Sequence, residues 1–173
     1  TPWVRSAESE ETQMKQIATL FQMNQMQNEM KSAFEKLSAK QQANGAFAWF
    51  EGGNPNEYIT THIVAGFGNL KKMNVNFNSM GIQPINLVGN AIQYMDQENL
   101  KRYNEFKKDL KSFKNITYSD GIHYLYARSF FLDQFPMDKN LEEMKNVMLK
   151  NLNEKKLDLS LQQKAMAALV LKR

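Results

Sequence analysis

Residues Gln41 to Lys72, QQANGAFAWFEGGNPNEYITTHIVAGFGNLKK, constrain the fold more than any other stretch, because a glycine-rich aromatic loop runs straight into a helix. Asn44-Gly45 and Gly52-Gly53 are turn formers, since glycine reaches positive φ without steric cost. Pro55 fixes one backbone dihedral just where a helix should begin. Phe47, Trp49 and Phe50 lie between these turns. Three large rings are too much apolar surface to leave in water, so the loop is expected to fold back as a plug over the ends of neighbouring helices.

A helix is predicted to follow from about Asn56 to about Met73, with Ile59, Ile63, Phe67 and Leu70 on one face. Asn56 is suited to cap it and Glu57 to sit at its positive end. Gly66 and Gly68 interrupt the pattern, each at a propensity cost of about 1 kcal/mol, which points to close approach of another helix. Thr60 and Thr61 add little helical preference. Such a helix must be held by its packing.

The rest of the chain reads as helix as well. Thr1-Pro2-Trp3 is read as an extended start, with Ser6 or Ser9 as cap and Glu8, Glu10 and Glu11 in a first turn. Helical spacing then runs without Pro or Gly to about Lys40, its apolar face shifting near Asn24. That is either one long curved helix or two joined at a kink. NVNFNSMGIQP is a loop by its turn chemistry, and Ile85 to about Phe113 is a long helical stretch. Asn115 to Gly121 breaks it. Ile122 to Leu132 is apolar nearly all round and is expected to be buried in an inner layer. Further helices are predicted from about Leu141 to Lys155, after a cap at Asp138, and after Ser160, where Gln163 completes a capping box. About six helices and no alternating strand define an all-α class, and pairwise hairpin spacing suits a toroid or solenoid. No fixed-period repeat is present, which argues against a tetratricopeptide array.

Composition excludes several functions. The chain has no cysteine, so disulfides, thiolate zinc sites and a cysteine nucleophile are absent from this span. No apolar run reaches the roughly 18 residues that span a bilayer, so no transmembrane segment is expected. The net charge of +4 is concentrated between Lys101 and Lys114, where Lys101, Arg102, Lys107, Lys108, Lys111 and Lys114 outnumber Glu105 and Asp109. Tyr103, Phe106, Leu110 and Phe113 form an apolar stripe on the same segment, so the cations read as the solvated face of an amphipathic helix, not as a nucleic-acid site. The eleven methionines fall at helical spacing in separate segments and read as core filler.

Catalytic motifs are few. His62 and His123 stand on different predicted helices without metal-ligand spacing, and no nucleophile elbow or phosphate-cradling loop occurs. No catalytic, metal or cofactor residue is assigned. Glu51, Glu57 and Asp120 are loop-borne acids beside aromatics, a pattern that a sugar subsite would use, but the favoured reading is a solvated Glu51 and a Glu57 that supports a helix terminus. His62 lies beside the apolar face and is read as a packed histidine, with a general base in a cleft as the alternative.

The run NGAFAWFEGG through YITTHIVAGFGNLKKM, with TPWVRSAESEETQ upstream and IHYLYARSFFLD and LSLQQKAMAALVLKR downstream, resembles the thioester-domain region of bacterial alpha-2-macroglobulin-family proteins. The resemblance covers nearly the whole chain. It implies a single all-α domain over residues 1–173 that is part of a larger thioester domain, an α/α toroid of stacked helical hairpins. It also implies a cell-envelope or periplasmic protease trap whose partners are proteases, met through the full-length protein, and the remaining domains of the same chain. The family's Cys-x-Glu-Gln motif has no counterpart here, so no functional residue carries over. Either the motif lies upstream or this member lacks it. Phe47, Trp49, Phe50, Tyr58 and His62 are assigned to a structural or binding surface of the scaffold. Two alternatives are a helical protein-interaction scaffold and an α/α-toroid glycoside hydrolase with two carboxylates across a cleft.

Overall fold

The computed structural model describes residues 2–108, 119–154 and 159–173. Among them are six α-helices, one 3-10 turn and no strand beyond a single isolated bridge, so the chain is all-α. The helices are α1 (Pro2–Ala39), α2 (Glu57–Lys72), α3 (Ile85–Lys108), α4 (Ser119–Arg128), α5 (Lys139–Glu154) and α6 (Leu161–Lys172). Among the described residues no helix is long and apolar enough to cross a membrane. The chain divides into two compact units, residues 1–39 with 76–83, and residues 40–75 with 84–173.

The first unit is α1 with the 3-10 turn Asn78–Met80 packed on it. The helix begins at Pro2, not after Ser6 or Ser9, and the predicted acidic first turn is absent. Proline is at home there because the first helical residues have no intrahelical acceptor for their N–H groups. Helical structure passes through Asn24 without a break, so one helix forms where the sequence left two possible. Met14, Ile17, Leu20, Phe21, Met23 and Met26 stay exposed along it.

The second unit holds the core. α2 packs on α3 and α4, α4 also packs on α6, and α3 packs on α5. Of the stretch Ile122 to Leu132, expected to be buried for want of a polar face, all are buried except Ser129 and Leu132, which are half-buried. The helix starts at Ser119, earlier than predicted, and stops at Arg128 rather than Leu132. Lys71 explains part of the stop: its Nζ donates to the Phe130 carbonyl at 2.9 Å and pairs with Asp133 at 3.0 Å, tying the turn beyond α4 to α2. Leu141, Met144, Met148 and Leu152 bury the inner face of α5, and Asp138 caps it through Asn140 and Leu141 N–H groups. Ser160 and Gln163 form the expected capping box of α6, whose Ala167 packs with Ile122 and Leu152.

On α2 the seam differs from the one predicted. Thr60, Thr61, Val64, Ala65 and Gly68 are the buried residues, while Ile59, Ile63, Phe67 and Leu70 are half-buried flanks. Small side chains let helix axes approach, so the closest contact forms where the side chains are least bulky. A Cβ on Gly68 would lie 2.4 Å from the Phe130 ring, whereas one on Gly66 would meet nothing within 4 Å. Only one of the two glycines marks a close approach.

Candidate functional site: an aromatic face and a buried ion pair

The loop of residues 40–56 is held by a dense set of local bonds. Gln41 Nε2 donates to the Gly45 and Leu87 carbonyls at 3.0 and 2.9 Å, and Gln42 Nε2 to the Gly53 carbonyl at 2.8 Å. Gly45 has φ +85°, and a Cβ there would come within 2.2 Å of the Asn90 carbonyl, so no larger residue fits. Phe47 and Asn56 form the isolated antiparallel bridge, with the Asn56 N–H donating to the Phe47 carbonyl at 2.8 Å. The Phe47 N–H donates to Thr60 Oγ1 at 2.9 Å, and that hydroxyl donates in turn to the Asn56 carbonyl at 2.7 Å. Asn56 then caps α2 by accepting from the Ile59 N–H at 3.0 Å, as expected from its place in the sequence.

This anchoring buries one ring and displays two. Phe47 is 2% exposed, but Trp49 is 66% and Phe50 74% exposed, so the three-ring plug is not formed. The bridge fixes Phe47 inward; past it the chain turns at Gly52, with φ +75°, before returning to Asn56. Trp49 instead stacks on Tyr58, with ring centroids 6.2 Å apart and planes at 17°. Tyr58 stacks in the same way on His62 and meets His123 at 5.4 Å. The structure therefore joins Trp49, Tyr58 and His62 from the sequence-derived set, buries Phe47 in the core, and holds Phe50 in solvent.

His123 is the member that sequence reasoning missed. It stands on α4, and its ring centroid is 6.1 Å from that of His62 on α2. The signal was the small-residue seam of α2, which brings the two helices together. No group of three or more His, Cys, Asp or Glu side chains capable of holding a metal occurs among the described residues.

The acids weighed against a sugar subsite have separate roles. Glu51 is solvated as expected, 3.7 Å from Lys40. Glu57 pairs with Arg102 and accepts from Asn99 Nδ2 at 2.8 Å. Asp120 lies in the first turn of α4 rather than in a loop, and its side chain falls outside the described residues. The basic segment is described as far as Lys108; Asp109, Leu110, Lys111, Phe113 and Lys114 lie outside the described residues. Among its described cations, Arg102 pairs with Glu57 and Lys107 with Glu143 at 2.7 Å.

A second polar cluster lies inside the unit. Arg128 Nε donates to both oxygens of Asp96, and the Tyr124 hydroxyl donates to Oδ1 at 2.8 Å. Burial pushes the Asp96 carboxyl above its usual range, while the hydrogen bonds and charge of Arg128 pull the other way. The Tyr124 phenol is driven well up, first by burial and then by the Asp96 charge. With three bonds on one carboxylate, the cluster fastens α3 to α4. The sequence shows its members only as an acid and an arginine on separate helices.

The chain matches no protein-family model, no curated protein and no solved structure. Fold and site together define an all-α helical module that presents an aromatic face.

Proposed function

We propose that the chain is a non-catalytic structural module of an alpha-2-macroglobulin-like protease trap, part of an α/α toroid acting in the cell envelope. The observation that carries the proposal is the exposed stack of Trp49, Tyr58 and His62. Exposed aromatic rings on a rigid loop–helix junction are anchors for protein contact, since they bury much area at little entropic cost. The phrase on which the resemblance rests, from Asn44 through Met73, coincides with this junction: turn, bridge, cap and helix α2. In this reading the aromatic face docks on the remaining domains of the same protein and transmits no chemistry itself.

The test uses the full gene product with chymotrypsin. A trap suppresses hydrolysis of a large protein substrate while leaving hydrolysis of a small chromogenic peptide intact. The Trp49→Ala/Tyr58→Ala variant should lose at least half of that selective protection. Equal cleavage of both substrates with and without the gene product rejects the reading.

A free-standing helical interaction scaffold is the second reading, favoured by the exposed Met14, Ile17 and Phe21 on α1. Under it, protection from chymotrypsin is absent.

A further inference from the structure

A cleft of about 620 Å³ opens in the second unit along α3. Asn86, Asn90, Gln93 and Gln97 line it at i, i+4, i+7 and i+11, all with exposed side chains. Phe135 and Pro136 also line it. The Phe135 ring lies against the Gly89 backbone, so closely that a Cβ there would be 3.0 Å from it. Arg128 also lines the cleft; its side chain is 2% exposed, and its Nη1 is buried with no hydrogen-bond partner among the described residues.

We infer that this cleft binds an extended polypeptide segment through its main chain. Each primary amide carries both a donor and an acceptor, which is what an extended backbone presents in alternation. Eleven residues of helix rise about 16 Å, and an extended chain rises roughly 3.3 Å per residue, so the amide row spans about five peptide units. Phe135 with Pro136 gives an apolar rest for one side chain.

The charges select against other polymers. Arg128 is matched by Asp96, and the remaining charged lining residue, Asp138, spends one oxygen capping α5. No unmatched cation faces a polyanion, which argues against nucleic acid. Phe135, turned against Gly89, is the one aromatic ring of the lining, too little for a sugar-stacking platform. The cleft shares no residue with the Trp49 stack, so the inference stands apart from the protease-trap reading.

The experiment is a selection of phage-displayed random dodecapeptides on the chain, followed by titration of synthetic selected peptides into 15N-labelled protein. The expected result is a set of peptides that shift the side-chain amide resonances of Asn90 and Gln93 and bind Asn90→Ala/Gln93→Ala at least tenfold more weakly. Both residues are exposed, so the variant should keep the parent melting temperature within about 2 °C. Peptides that bind the variant as tightly as the parent, or that leave those resonances unmoved, overturn the inference. Chitohexaose is titrated in parallel; shifts in the same amides with the sugar and none with peptide overturn it in favour of a glycan site.

Discussion

Arg128 Nε lies 3.0 Å from Asp96 Oδ1 and 3.2 Å from Oδ2, joining the middle of α3 to the last residue of α4 through two largely buried side chains. Removing one partner leaves the other charged and buried, which typically costs about 3–5 kcal/mol. Arg128→Met should therefore lower urea stability by that amount. Asp96→Leu/Arg128→Met should cost clearly less than the two single changes together, because no orphan charge remains. Additive losses in the cycle would show that the pair is not coupled.

The two glycines of α2 should respond in opposite directions. Gly66→Ala meets open space and gains helix propensity, raising stability by about 0.5–1 kcal/mol. Gly68→Ala drives a methyl into the Phe130 ring and should cost about 1–3 kcal/mol. Thermal melts distinguish them, since 1 kcal/mol moves the midpoint of a chain this long by roughly 2–4 °C.

Thr60 serves the loop and the helix with one hydroxyl. Thr60→Val keeps the shape but leaves the buried Phe47 N–H unsatisfied, a loss of about 1–3 kcal/mol. Thr60→Ser should recover most of it. Hydrogen exchange at the Phe47 amide should rise in the valine variant and stay protected in the serine one.

Much of this architecture was legible in the residues. Asn56, Asp138 and the Ser160–Gln163 pair mark helix starts because capping is local chemistry, and Ile122 to Leu132 announce their burial, complete but for Ser129 and Leu132, by being apolar nearly all round. The seam of α2 was misread for a tertiary reason. Helical periodicity ranks Ile59, Ile63 and Phe67 by bulk, whereas packing favoured Thr60, Val64 and Gly68 by smallness. Likewise the surplus of apolar surface in Phe47, Trp49 and Phe50 was visible, but not that one bridge at Phe47 turns a ring inward and leaves two outside. The Asp96–Arg128 pair and the meeting of His62 with His123 join residues more than thirty positions apart, or on helices whose pairing no local signal specifies.

Tyr103 gives a test at alkaline pH. Its phenol is pushed up to about 12 by burial and by donation to the Glu143 carboxylate at 2.9 Å. An unfolded tyrosine titrates near 10, so the folded chain keeps this proton over about pH 10 to 12. The resulting stabilisation is complete below pH 10 and is lost as pH rises through 12. Tyr103→Phe should show a shallower fall in melting temperature over that window than the parent. An unchanged slope would contradict the assignment.

The Phe47–Asn56 bridge also separates two kinds of evolutionary freedom. Everything that α2 needs to start, the cap at Asn56 and the hydroxyl of Thr60, sits at or outside the bridge, while Trp49, Phe50 and Gly52 sit within the span it closes. The enclosed tip is thus a cassette. Its rings can be exchanged, and its length altered at Gly52, with the register of the helix left untouched, so a surface of new specificity can be drafted there without redrawing the fold.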